Sequence, residues 1–431
     1  SPDRASMTNL DARPAPAGKP AHLDSTATGE TDHTPAHGLP SATYLLAGAP
    51  FQPDTDLGQS LLDEAYGKHE RPQCPCTPQG VPMYIAKVGV RYIVKRMPET
   101  GLAHSPSCAS YVPEHLTAFG QLLGDAVRVD PDSGQTVLRL GFRLSVGERA
   151  APDVTGPPVA AESVRTNGKR LSLRALLDFL WHESDLVAWS PGMAGRRHWG
   201  LVAWLLRQAA GTARAKGHPL SERIFVPEPF RLDRKAELAA RRLNTWQRAA
   251  ARPGRAQQLL VMIGEVKTIE AARYGHKIAF KHLPDAPLFL DEDLHRKLVR
   301  RFAQELDLWA ADEGGHLMAI ATFVTGRGGS ANAEEVALMP TTSQWLPYDD
   351  PYGKVLLESL VDQHRRFRTL PRFTLPASTT HPVAVLTDCA EPQSLHLRLE
   401  HPSQLELISN DALGWTWDVS GPIPPLPQPV R

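Results

Sequence analysis

Three of the four cysteines sit in one short stretch with a histidine at ligand spacing: Cys74-Pro75-Cys76, then 27 residues, then His104 and Cys108. Two thiolates at one end of a hairpin, and an imidazole and a thiolate at the other, close a tetrahedron around one Zn²⁺. Between the pairs lies VPMYIAKVGVRYIVKRM (81–97), two β-rich runs at Pro82–Lys87 and Arg91–Lys95 around Val88-Gly89-Val90, which predicts the hairpin. So small a sheet has little core of its own, and a bound ion supplies the missing folding free energy. The expected fold-determining centre is a structural zinc on Cys74, Cys76, His104 and Cys108, with His69 and His115 as substitute ligands. The competing reading is reduced thiols in a small sheet beside a solvated histidine.

At 431 residues the chain exceeds one ordinary core. We expect a multidomain α+β protein: a disordered leader (1–40), a zinc-ribbon-like domain (41–150), a basic helical module (151–256) and an α/β region (257–431). Four cysteines in this length make no disulfide framework, and the expected setting is the cytoplasm. No apolar run reaches the ~18 residues that span a bilayer, so no membrane role is expected.

Formal net charge is zero, which hides an asymmetry. Residues 190–256 hold fourteen Lys/Arg against Glu222, Glu228, Asp233 and Glu237, a net charge of +10. Nucleic-acid phosphates or an acidic protein partner answer such a field. Leu171–Asp185 and His198–Ala215 read as amphipathic helices before a strand at Arg223–Val226, an order that suits a winged-helix unit. On that reading Arg207 enters a groove, and Arg196, Arg197, Arg241 and Arg242 contact phosphates of DNA or RNA. An Arg-rich solvated surface is the bland alternative.

Further elements are expected as helices at 113–124, 235–252, 291–311 and 352–366, and as strands at 259–268, 274–282, 316–324, 335–339, 383–388, 395–400 and 415–419. Glu265-Val266-Lys267 ends an apolar strand, as in PD-(D/E)xK nucleases, where the Glu holds Mg²⁺ and the Lys positions water. Its upstream Asp would be Asp233, across a whole helix. Helix Glu358, Asp388 and Glu400 follow the same order near the C-terminus, but His401 stands where the Lys belongs, which suggests a degenerate copy. Mg²⁺ is expected only on this nuclease reading.

The stretches CPC (74–76), GVPMY (80–84), KRMPETG (95–101) with His104 and Cys108, LLDFLW (176–181), WSPGMAGRRHW (189–199), IFVPE (224–228) and GEVK (264–267) together resemble one bacterial family. That family is catalogued as a domain of unknown function and found on integrative and conjugative elements. The resemblance covers most of residues 60–430 and implies a mobile-element setting without a mechanism. The C-terminal third departs from the strongest nuclease pattern. The expected function is non-enzymatic, zinc-containing nucleic-acid binding. A Mg²⁺-dependent nuclease and a scaffold for an element-encoded protein are the alternatives.

Overall fold

The computed structural model describes residues 43–430, except 69, 89–90, 98–99, 106–107, 109, 112–125, 130–135, 147–169, 313, 327, 371–379 and 399–413. The leader, His69, His115, the helix expected at 113–124, Glu400 and His401 lie outside the described residues. The rest is mixed α+β, with seven α-helices among the described residues.

The expected hairpin forms from Val81–Val88 and Arg91–Arg96, antiparallel, with Val88 opposite Arg91. It is one edge of a five-stranded antiparallel sheet completed by Gln73–Cys74, Tyr44–Leu46 and Ala49–Phe51. Helix Asp56–Gly67, capped by Thr55 accepting from Gly58 N–H, lays Leu62 and Ala65 on Phe51, Ile85 and Tyr92. That is a small core, as expected of a sheet this size. Lys95 ties the sheet to the remainder through Glu183 (2.6 Å) and Thr212 (3.2 Å).

The helix pair is present as Leu173–Glu183 and Trp199–Gly211, but the winged-helix expectation is not met. A recognition helix must offer an exposed face to a groove. None of the 13 residues of Trp199–Gly211 is exposed, and nine of the 11 in Leu173–Glu183 are buried. Helices buried on nearly every side lie inside a core, polar residues included. That core runs from Ala126 to Trp345 and draws residues from both sides of positions 151 and 257.

Its centre is a barrel. The ring strands are Leu260–Ala271, His276–Phe280, Leu283–Leu290, His316–Thr325 and Ala331–Thr341, called the first to fifth barrel strands; Ile224–Phe225 joins the first in parallel as a sixth strand of the same sheet, outside the ring. The first three form a meander, and the fourth returns to pair with the first, giving the 4-1-2-3 Greek-key order. The fifth pairs antiparallel with the fourth and parallel with the third, closing the ring. The third–fifth contact holds only Leu288↔Ala331 and Phe289↔Asn332, so the barrel is partly open there.

The first strand serves both halves. Leu260–Glu265 pairs with the fourth strand, and Val266–Ala271 pairs with the second beyond a register shift at Val266/Thr268. Such a bulge bends the strand round the barrel. Gly264 precedes it because Phe280 covers the position: a Cβ there would meet the ring at 2.7 Å.

The third strand lies outside the strands expected from sequence, and it contains Pro284 and Pro287, residues that sheets confine to edges and bulges. It pairs with the fifth only at Leu288 and Phe289, so its proline stretch lacks a neighbour on that edge. The helix expected over 291–311 splits into Glu292–Arg301 and Ala303–Ala310, where Phe302 leaves helical geometry (φ −114°, ψ 30°) and is fully buried. A last sheet of Ala188–Trp189, Phe367–Thr369, Thr380–Leu386, Gln393–Arg398 and Thr416–Asp418 has its own core around Trp189, Leu356, Phe367 and Trp417.

Candidate functional site

Cys74 ends its short strand opposite Val81, and Cys76 follows in the turn. The hairpin returns the chain to the same end, where the turn Gly101–Ala103 delivers His104 and then Cys108. All four donor atoms lie within 4.8 Å of one another. Cys74 Sγ is 3.6 Å from Cys108 Sγ, and His104 Nδ1 is 3.3 Å from Cys76 Sγ and 3.7 Å from Cys108 Sγ. A tetrahedron with Zn–S of about 2.3 Å and Zn–N of about 2.0–2.1 Å has donor–donor edges of roughly 3.5–3.8 Å. The residues therefore fit a zinc ion, with Nδ1 as the imidazole donor.

Two backbone N–H groups complete the pattern. Ser105 N–H donates to Cys76 Sγ and Ser110 N–H to Cys108 Sγ, each at 3.4 Å. Such donors stabilise thiolates at both knuckles. Burial pushes the metal-free Cys74 thiol up to about 12 and raises Cys108, while burial and then Arg96 lower His104. An ion would displace the thiol protons, so loading weakens as pH falls.

The arginines nominated from sequence separate. Arg197 donates to the carbonyls of Leu186 (2.9 Å), Gln344 (3.0 Å) and Ala188, and burial lowers its guanidinium to about 10. It locks the 186–198 loop onto the core, and its donors are spent there. Arg196, beside it, is exposed. Arg207, Arg241 and Arg242 come together instead, lining a cavity of about 340 Å³ with Lys235, Arg248 and His282. Glu228 takes Arg241 through two hydrogen bonds of 2.8 Å, and Asp285 takes Arg242 at 2.8 and 3.3 Å. A second cavity of about 460 Å³ shares Glu228, Leu238 and His282 and adds His198, Trp199, Arg231 and Arg234. Seven cations and two carboxylates thus face one concave surface. The helix Lys235–Trp246, buried only at Trp246, hangs its arginines over this hollow.

Glu265 is buried, at 3% exposure, but Lys267 is exposed and forms no ion pair among the described residues. The register shift after Val266 breaks the alternation that would have put both on one face. Lys281 (2.5 Å) and His316 Nδ1 (2.6 Å) hold the Glu265 carboxylate, with His282 Nε2 at 3.9 Å. His316 stacks on Trp345 at 3.8 Å, and His282 on Trp199 at 5.2 Å. These partners come from 16 to 80 residues away in sequence, with no local motif to announce them. Asp233 is exposed at the start of another helix. Asp388 is held at both oxygens by Arg365, at 2.8 and 2.9 Å, and Glu358 by Lys354 at 2.6 Å. Neither Glu265 nor Asp388 belongs to a group of three metal donors among the described residues.

Burial raises the Glu265 acid, but the hydrogen bonds from His316 and Lys281 outweigh it and hold the group below the usual range. Its stabilising contribution is complete above the unfolded Glu value of ~4.3 and is lost as pH falls through the lower folded value. Glu265→Ala should destabilise the protein at neutral pH by about 2 kcal/mol. The figure is modest because Lys281, 44% exposed, re-solvates. Urea midpoints of wild type and variant should converge as pH falls through the folded value, and a constant gap would contradict the assignment.

Residues 44–418 match the model of the family described as "Protein of unknown function (DUF1173)", and the chain belongs to that family. No curated protein and no solved structure matches.

Proposed function

Since the family carries no assigned activity, we propose a function from geometry: single-stranded nucleic-acid binding across the barrel, with zinc at the Cys/His centre as a structural element. The carrying observation is the barrel topology. A partly open five-stranded Greek-key barrel is the architecture of the OB fold, which binds oligonucleotides on the face of its second and third strands and in the loops after its first and fourth. Fold analogy alone assigns no function, so the side chains must support it.

They do at four places. Ile278, Phe280, Leu288 and Leu290 face inward, so alternation puts the register pair Lys277 and Phe289 on the outer face. Tyr274, in the loop after the first strand, is 79% exposed with Arg273 over its ring, a free surface for a base to stack on. The loop after the fourth strand is Gly326-Arg327-Gly328-Gly329-Ser330 in sequence, and Gly328 and Gly329 adopt positive φ. The lower end of the third strand, at Leu283 and Asp285, opens into the arginine-lined cavity. Cavities of about 340 and 460 Å³ are too narrow for a duplex groove but suit a phosphate with its base. The mobile-element and cytoplasmic setting stays part of this reading. No helix among the described residues is long and apolar enough to cross a membrane.

Fluorescence anisotropy with a labelled oligothymidylate and a matched duplex tests it. The single strand should bind preferentially, with affinity falling steeply between 50 and 200 mM salt. Tyr274→Ala should cost about 1–3 kcal/mol of binding by lost stacking. The double change Lys235→Ala, Arg248→Ala should flatten the salt slope by about 0.7 per lost phosphate contact. Failure to bind any oligonucleotide at 50 mM salt would overturn the proposal.

A further inference from the structure

We infer that His276, Glu292 and His295 form a second metal site, for a divalent first-row transition ion, at one end of the barrel. Their donor atoms lie within 4.8 Å of one another. His276 opens the second barrel strand, and Glu292 and His295 lie on the first turn of helix Glu292–Arg301.

The backbone brings them together by rigid means. Ala272 N–H closes the turn by donating to Gly275 O (2.9 Å), and Gly275 adopts φ +74°. A Cβ on Gly275 would lie 2.2 Å from the Leu290 carbonyl, so the strand start presses against the helix start. His276 then stands opposite Leu290 in register. Asp291 caps the helix by accepting from Leu294 N–H (2.7 Å). Glu292 and His295, three apart on that helix, share a face.

The surrounding charges leave the triad available. The nearby cations Arg296 (2.6 Å) and Lys297 (2.5 Å) are both taken by Asp293. Glu292, 71% exposed, reaches His276 at 3.4 Å. That contact is within ion-pair reach but misaligned as a hydrogen bond, and His276 Nδ1 is buried without a hydrogen-bond partner among the described residues. A buried ring nitrogen beside a carboxylate, with no aligned hydrogen bond between them, is a donor position that an ion would occupy. Two imidazoles and one carboxylate select transition ions over Mg²⁺ or Ca²⁺ and leave coordination positions open for water. The rings now stack at 3.4 Å and 7°, so seating an ion requires each to tilt about χ2, a soft torsion.

The site stands apart from the cysteine centre, and the test keeps the two distinct. Full-length protein, its cysteine centre first loaded with Zn²⁺ and its metal content measured, is titrated with Ni²⁺ by calorimetry. One further equivalent should bind. His295→Ala should weaken that binding at least tenfold. It replaces a partly exposed helical side chain with a better helix former, so an unchanged circular dichroism melt is expected. His276→Ala should behave in the same way, and His218→Ala, in a separate sheet, should bind Ni²⁺ like wild type. Equal Ni²⁺ uptake by wild type, His276→Ala and His295→Ala would overturn the site, as would wild type that takes up none.

Discussion

Cys108→Ser should empty the cysteine centre of zinc and release the N-terminal sheet from its fold. Wild-type protein is expected to carry one equivalent of zinc there and the variant almost none, read by elemental analysis. The size of the effect follows from how little else holds the sheet. Its core is Phe51, Leu62, Ala65, Ile85 and Tyr92, with Cys74, Val81 and Met83 as a separate cluster beside the ligands. Structural zinc contributes about 10–16 kcal/mol of apparent binding free energy in zinc-finger peptides near neutral pH, more than so few buried side chains can replace. A strong chelator should therefore reproduce the phenotype, and limited proteolysis should cut within 70–110 while the barrel persists. Co²⁺ substituted for zinc should show thiolate-to-metal absorption bands that Cys108→Ser loses. Cys389→Ser is the control, because its thiol lies 3.4 Å from Arg365 in the last sheet. Metal content that is the same in wild type and Cys108→Ser would end the zinc reading.

Arg174→Met should cost about 3–5 kcal/mol, the range for removing one partner of a buried charge pair. Arg174 is 3% exposed on the buried helix, and its guanidinium bonds Asp178 (3.3 Å), the Leu338 carbonyl (2.8 Å) and Asp349 (3.3 Å), with Glu305 at 3.9 Å. It joins helix Leu173–Glu183 to the fifth barrel strand and to the segment that carries Trp345. Burial opposes its charge, but the three carboxylates raise its pKa. Asp178 moves upward as well, to about 6, because burial and then the balance of Arg174 against Asp349 leave it short of compensation. Three acids compete for one cation, so the pair looks favourable from the arginine and strained from the aspartate. Asp178 is buried and shares Arg174 with Asp349 and Glu305, so the strain falls on the aspartate.

The pH dependence follows. Between the unfolded Asp value of ~3.9 and the folded value, the folded state binds the extra proton, so wild-type stability declines as pH rises through that window. Without Arg174, Asp178 and Glu305 lose their counter-charge and titrate still higher. The deficit of Arg174→Met should therefore be largest at pH 8 and shrink toward pH 5. Chemical denaturation at both values measures it, and a larger deficit at pH 5 would show that the arginine acts through packing alone.

Much was legible before the fold was known, and for local reasons. The clustering of Cys74, Cys76, His104 and Cys108 could be read because a C-x-C and an H-x-x-x-C flank one β-hairpin, and a hairpin brings the outer ends of its strands together. The helices over 173–183, 199–211, 235–246 and 351–362 and most strands announced themselves by periodicity. What misled was position, not type. Trp199–Gly211 has the length and order of a recognition helix, yet nothing local says that it lies inside the core. Arg197 and Arg207 are alike in composition, but one is spent on backbone carbonyls and the other lines a cavity. Glu265 and Lys267 are two residues apart on a strand, and a register shift separates them.

The chain on its own determined the elements and the metal knuckles, because periodicity, turn chemistry and ligand spacing act over a few residues. Only the tertiary structure decided that five separate strands close into a barrel, that Lys281 and His316 meet Glu265, and that His276 reaches Glu292 and His295. Those meetings join residues up to 63 positions apart through strand register and the return of the fourth strand. Register is set by which apolar faces bury together across the whole sheet, and no short window of sequence contains that information.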